Sequence, residues 1–186
     1  MVKFARSTAT GLLTPKGCIE DDNHHPDTCL QLAPGLTGAR QVSVSPDGKS
    51  VYVAGTLDND VSFFARSVAG ALSFKYCVDD IGSPAETCKK AVYGLRGAHA
   101  VVVSPDGKSV YAAGQDDHAL VTFRRSLTGD LTGRGCVRDD DLGTDPCAQI
   151  AHGYGRAHEI AVSQDGISVY VAAGDDDAVA RLIRQP

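Results

Sequence analysis

Ser45-Pro46-Asp47-Gly48-Lys49-Ser50-Val51-Tyr52 decides the fold, because it comes back. It returns as Ser104-Pro105-Asp106-Gly107-Lys108-Ser109-Val110-Tyr111 and, degraded, as Ser163-Gln164-Asp165-Gly166-Ile167-Ser168-Val169-Tyr170. The interval is 59 residues both times, and it holds well beyond this stretch. Cys18, Cys77 and Cys136 share it, as do Cys29, Cys88 and Cys147, Gly35, Gly94 and Gly153, and Ala39, Ala98 and Ala157. Three copies of 59 residues fill nearly all of the 186-residue chain. A constant period of this length marks an array of identical supersecondary units.

Each unit reads as strands. Gln41 to Ser45 alternates, with Val42 and Val44 on one face. Ser-Pro-Asp-Gly is a turn, in which Pro presets φ and Gly supplies the positive φ. Val51-Tyr52-Val53-Ala54 is a second strand by its β-branched and aromatic content. Val61 to Phe64 forms a third after the polar turn Asp58-Asn59-Asp60, and Ala71 to Tyr76 a fourth after Gly70. No stretch keeps an amphipathic helical period over three turns. Four strands per repeat is the blade unit of a β-propeller.

Residues 44–55, the Asp-rich turn with Val-x-x-Phe at 58–64, and Thr-Gly-x-Leu-Thr at 10–14 and 128–132 carry a resemblance. They resemble the repeat of lactonase-like (YVTN-type) β-propellers, and all three copies share it. The added Cys pair resembles a variant repeat of secreted bacterial propeller proteins. The resemblance implies blade architecture and transfers no catalytic residue, since the blade motif contains none. Propeller folds host many unrelated functions.

The expected fold is therefore all-β, a propeller with three four-stranded blades per chain. Residues 1–186 read as a single half-propeller domain. Propellers typically have four to eight blades. Three copies cannot close a ring, and open edges invite aggregation. A homodimer would close six blades, whereas a trimer would give nine; the rival is a piece of a longer propeller. Val2-Lys3-Phe4-Ala5-Arg6-Ser7 resembles residues 61–67, 121–126 and, more loosely, 179–184, so the third strand occurs four times. The N-terminal strands (residues 2–17) are expected to complete a blade begun by the C-terminal repeat, of the same chain or its partner. One third-strand copy is then surplus.

The composition excludes some classes. A net charge of -5 argues against nucleic acid and anionic membrane as partners, both of which need a basic footprint. No apolar run approaches the roughly 18 residues of a membrane helix. Met1-Val2-Lys3-Phe4 has no charged-then-apolar leader, so the expectation is a chain without its signal peptide.

The six cysteines fall into three pairs with ten residues between partners. One bridge per repeat (Cys18–Cys29, Cys77–Cys88, Cys136–Cys147) implies an oxidising compartment, hence a secreted or periplasmic location. Zinc sites favour tighter spacing, and free thiols would be the cytosolic alternative. Asp21, Asp80 and Asp139 match within the Cys loops. They read as turn-capping carboxylates, with a calcium loop as the alternative. Asp116-Asp117 and Asp175-Asp176-Asp177 read the same way. His24 and His25, present in one copy only, read as exposed loop residues.

The copies differ in chemistry just before the first strand. Gly38-Ala39-Arg40-Gln41, Gly97-Ala98-His99-Ala100 and Arg156-Ala157-His158-Glu159 make Arg40, His99 and His158 equivalent. The first strand of a propeller blade lines the central channel, so these residues would stand at its mouth. Three readings stay open. They could bind an anionic or polar small molecule. Alternatively, His99 and His158 could hold a transition metal, with Glu159 behind. Finally, the side chains could tie neighbouring blades together. Tyr154 breaks its own copy pattern and is a further candidate ligand contact. Neither Gly-x-Ser-x-Gly, a phosphate loop nor His-Glu-x-x-His occurs. The leading expectation is a secreted binding or interaction module holding a small polar or anionic ligand at the channel mouth. The alternative is a small lactonase-like or metal-dependent enzyme centred on Arg40, His99 and His158.

Overall fold

A computed structural model describes residues 1–23, 28–82 and 88–184. The expectation for His24 and His25 falls outside them. The described residues contain strands and turns and no helix.

The strands form four sheets in chain order. The first holds β1 (Val2–Arg6), β2 (Leu13–Glu20) and β3 (Gln31–Leu32). The second holds β4 (Ala39–Val44), β5 (Ser50–Gly55), β6 (Asp60–Arg66), β7 (Leu72–Asp80) and β8 (Lys90–Val92). The third repeats it as β9 (Ala98–Val103), β10 (Ser109–Gly114), β11 (Ala119–Arg125), β12 (Leu131–Asp139) and β13 (Gln149–Ala151). The fourth holds β14 (Ala157–Val162), β15 (Ser168–Ala173) and β16 (Ala178–Ile183).

Two expectations need correction. Blades have a fifth short strand: β8 pairs parallel with β7, and β13 with β12. It was hidden because three residues are too few to show a period, and the preceding disulfide sets the pairing. The bridges Cys18–Cys29, Cys77–Cys88 and Cys136–Cys147 form as the spacing implies. Cys77 and Cys136 stand inside the long fourth strands, so each bridge pins the return segment against that strand. Second, within this chain the N-terminal strands do not complete the C-terminal blade. They make their own sheet, and the sheets do not close. The surplus third strand is thereby placed: β1 edges the first sheet and β16 the fourth.

The Ser-Pro-Asp-Gly turns form as their chemistry dictates. Ser45 Oγ donates to the Asp47 carboxylate, which also accepts the Lys49 N–H at 3.0 Å, and Gly48 has φ 67°. The other two copies repeat this. Antiparallel hairpins join the first, second and third strands of each unit.

Sheet packs on sheet through apolar faces. Tyr52, Val61, Phe63 and Tyr76 of the second sheet meet Val101, Val110, Val121 and Phe123 of the third. A second cluster, with Tyr111, Leu120, Ile160 and Val171, joins the third sheet to the fourth. Each large side chain buried this way contributes roughly 1.5–3 kcal/mol. An arginine then locks each of these two joints. Arg125 at the end of β11 bonds Asp47, Ser50 and the Tyr52 hydroxyl of the preceding sheet. Arg184, 59 residues later, bonds Asp106 and Ser109 in the same way. One rule thus joins consecutive units: an arginine reaches back 78 positions to the turn aspartate and 75 to the serine.

Candidate functional site

The first strands β4, β9 and β14 run side by side, so equivalent residues of three units gather at one end. The pairing explains how. In β4 the partners skip from Ala39 to Gln41, in β9 from Ala98 to Ala100, and in β14 from Ala157 to Glu159. The skipped residues are Arg40, His99 and His158. Each is the extra residue of a β-bulge, a device that re-aims a side chain and that recurs beside active sites. Close packing holds the bulges in place: a Cβ on Gly114, opposite Ala98, would collide with the Gly94 carbonyl.

The structure brings two of the three candidates into contact. The imidazoles of His99 and His158 stack with centroids 4.8 Å apart and planes 18° from parallel. His99 Nδ1 lies 3.0 Å from the His158 carbonyl oxygen, so its N–H donates there and Nε2 is left as the free ring nitrogen. Burial, then the neighbouring His99 and Arg156, lower the His158 pKa, so this imidazole is neutral at neutral pH. Arg40 is exposed and forms no ion pair among the described residues.

Glu159 joins the site through a residue the sequence reading did not single out. Gln41 Nε2 donates to Glu159 Oε2 at 3.4 Å, while Gln41 Oε1 accepts the Val101 N–H at 2.7 Å. Gln41 thus spans from β4 across β9 to β14. The signal was available: Gln41 and Glu159 are equivalent positions, each following a bulged residue. Tyr154 stands elsewhere. It is 3% exposed within the second apolar cluster, and burial pushes its hydroxyl up to about 12, so its ring is spent on packing.

The loops that carry the bulges rest on aspartates. Asp21 accepts the Leu36 N–H, Asp80 the Leu95 N–H and Asp139 the Tyr154 N–H, while each also caps its own turn. Asp58, Asp117 and Asp176 accept the next N–H along, from Thr37, Arg96 and Gly155. Asp21, Asp80 and Asp139 thus cap their own turns, whereas Asp117 and Asp176 tie their hairpin turns to the loop 21 residues before. Asp80, Asp117 and Asp145 lie together, with donor atoms within 4.8 Å of one another. Burial, reinforced by Asp80 and Asp145, raises the Asp117 pKa to about 7. All three carboxylates accept backbone N–H groups of residues 94–96, so they serve the loop leading to His99.

One residue on that path is strained. Arg156 has φ 54° where its equivalents are Gly38 and Gly97, both at 66°. A left-handed arginine costs of order 1–2 kcal/mol. It sits two residues before His158, and its N–H donates to His118 Nδ1 at 2.8 Å. The triplet comparison shows the Gly-to-Arg change in the sequence; only the backbone shows its cost.

Comparison with known proteins fits this geometry. The family model described as "Lactonase, 7-bladed beta-propeller" matches residues 19–138. No curated protein matches the chain. Among solved structures, a putative 6-phosphogluconolactonase from Bacteroides uniformis is similar at 17% identity and TM-score 0.68, over 99% of this chain and 44% of its own. The Pseudomonas aeruginosa periplasmic gluconolactonase is similar at 28% identity and TM-score 0.62, over 85% of this chain and 38% of its own. A putative 6-phosphogluconolactonase from Bacteroides fragilis matches at 23% identity and TM-score 0.60, covering 84% and 37%. The chain thus spans under half the length of these structures. The blade count expected from the repeats, six, differs from the family's seven: three copies fix the arc and not the ring. The matched repeats and the sheets they fold into place the chain in the lactonase, 7-bladed β-propeller family.

Proposed function

We propose that the protein is a lactonase-type enzyme acting on a sugar lactone of the gluconolactone class, with its chemistry at the bulged ends of β4, β9 and β14. This reverses the order of the two sequence expectations. The family match and the gluconolactonase neighbours favour the enzyme over a binding module. The observation that carries it is the bulge itself: the one extra residue of each first strand is Arg40, His99 or His158.

Lactone hydrolysis needs a base to take a proton from water as its oxygen attacks the carbonyl carbon. It also needs a group to steady the negative charge that develops on the carbonyl oxygen. His158, neutral by burial, suits the base. Arg40, cationic and unpaired, suits the oxyanion or an anionic substituent on the sugar. As the ring C–O bond breaks, the proton held by His158 passes to the leaving alkoxide, giving the open hydroxy acid. Glu159, held by Gln41, sits beside the base and steadies its charged form. The three disulfides and the periplasmic neighbour support an extracytoplasmic location.

The test is hydrolysis of glucono-δ-lactone followed by acid release. His158→Gln should lower kcat by about 10²–10⁴-fold, the usual worth of a general base. Arg40→Ala should act more on KM. Turnover unchanged in His158→Gln, or none in the unmodified protein, would reject this reading.

A further inference from the structure

Among the described residues, the non-glycine residues with a left-handed backbone are Asn59, His118, Arg156 and Asp177. Asn, Asp and His enter that region comparatively readily, and arginine does not. Arg156 therefore stands apart. The repeat sets its backbone. The carbonyls of Gly38, Gly97 and Arg156 accept the N–H groups of Thr56, Gln115 and Gly174, one bond per copy. The N–H groups of Gly97 and Arg156 both reach a side chain of the preceding turn, Asn59 or His118. Two copies meet this geometry with glycine at φ 66°, and the third meets it with arginine at 54°. Glycine would make every one of these backbone bonds without strain. What the arginine adds is its side chain.

That side chain has a partner across the joint. The Gln115 amide oxygen, in the orientation its hydrogen bonds require, accepts from Arg156 Nε at 3.1 Å and from Nη2 at 3.3 Å. Gln115 also departs from the repeat. Its equivalent, Thr56, donates instead to the Ala98 carbonyl at 2.8 Å, and the equivalent of Arg156 there is Gly97. Two positions thus change together where the third sheet meets the fourth, inside the chain. The pair stands beside His158, which Arg156 precedes by two residues. Burial is the first cause that lowers the His158 pKa. His99 of β9 and Arg156 add to it, while Asp175, in the turn after β15, and Glu159 of β14 oppose it. Arg156 is the permanent cation of this set.

We infer that Arg156 is a positioning residue of the site, kept in a strained backbone because its guanidinium, clamped by Gln115, is needed beside His158. The inference rests on the proposed use of His158 as a base, and it adds the group that keeps that base free of its proton before water attacks. Backbone strain persists where the surroundings over-determine it, and it gathers at functional sites. The expected signature is a pair of opposite effects: removing Arg156 stabilises the fold and impairs the site.

The experiment compares Arg156→Gly with Arg156→Ala. Thermal melts and an NMR titration of the His158 ring are read without substrate, followed by the pH profile of glucono-δ-lactone hydrolysis. Arg156→Gly relieves the strain and removes the charge. It should raise the melting temperature by about 2–4 °C and move the His158 midpoint to higher pH. Arg156→Ala removes the charge and leaves a left-handed residue with a side chain. It should move the midpoint equally, with no gain in melting temperature. In both variants the acid limb of kcat/KM should follow the His158 midpoint. Gln115→Ala, which frees the guanidinium, should move the midpoint the same way by less. A more stable Arg156→Gly with an unmoved His158 midpoint overturns the inference, because the arginine is then merely tolerated. An Arg156→Gly no more stable than the unmodified protein overturns it too, because no strain is then held. Absence of lactone hydrolysis in the unmodified protein removes the proposed reaction, while the melts and the NMR titration still decide what Arg156 does to His158.

Discussion

Tyr52 and Tyr170 occupy the same position of the repeat and differ only in what lies beyond them. Tyr52 is sealed under the third sheet, its hydroxyl donating to the Gly129 carbonyl and accepting from Arg125. Tyr170 faces outward from the fourth sheet. The same contrast separates Val61, fully buried, from Val179. The joint between the second and third sheets and the outer face of the fourth are one design seen filled and unfilled. Burial in a repeat protein thus belongs to the neighbour as much as to the unit. The largest stability contributions should therefore cluster at the filled joints, and equivalent substitutions at the open face should cost little.

The sharpest way to break this comparison is a core truncation. Phe123→Ala, at the filled joint, should cost about 3–5 kcal/mol, while Val179→Ala should stay within about 0.5 kcal/mol. Urea denaturation of both variants checks it, and equal losses would erase the distinction. The disulfides come next. Replacing Cys136 and Cys147 by serine should cost about 3 kcal/mol, since this bridge packs on the filled joint. Removing Cys18–Cys29 should instead loosen the first sheet alone, seen as amide exchange in β1 to β3 ahead of the rest. Arginine substitutions have a smaller effect. Arg125→Met forfeits its bonds to Tyr52, Ser50 and Asp47, for about 2 kcal/mol, whereas Arg66→Met should leave the fold's stability unchanged.

The finest probe is pH. Asp117 rises from 3.8 to about 7, with burial the first cause. Between those values the native state holds a proton that the unfolded chain has released. Its contribution to stability is therefore complete below 3.8 and lost as pH climbs through about 7. Asp47 and Asp106 act in the opposite sense. The Ser45 hydroxyl holds Asp47, and Arg184 with Ser104 overcomes burial to hold Asp106, both near 2, so their contribution is present above 3.8 and lost as pH falls toward 2. Asp117→Asn should flatten the decline in stability from pH 4 to 7 and leave the acid limb alone, as thermal melts across that range would show.

The sequence determined the period, the strands, the turns and the three bridges. Those follow from local chemistry: proline and glycine at fixed turn positions, β-branched runs, and cysteines at constant spacing. It also picked out Arg40, His99 and His158, because equivalent positions with unlike chemistry stand out in a repeat. Only the tertiary structure decided where these residues lie and what they touch. The bulge that re-aims them, the stacking of His99 on His158 and the Gln41 bridge to Glu159 depend on three first strands lying side by side. Tyr154 shows the same limit from the other side, since an aromatic beside glycines looks exposed until a neighbouring sheet covers it. Local pattern fixes what a blade is; contact between blades, which links residues 59 to 118 positions apart, fixes what its surface can do.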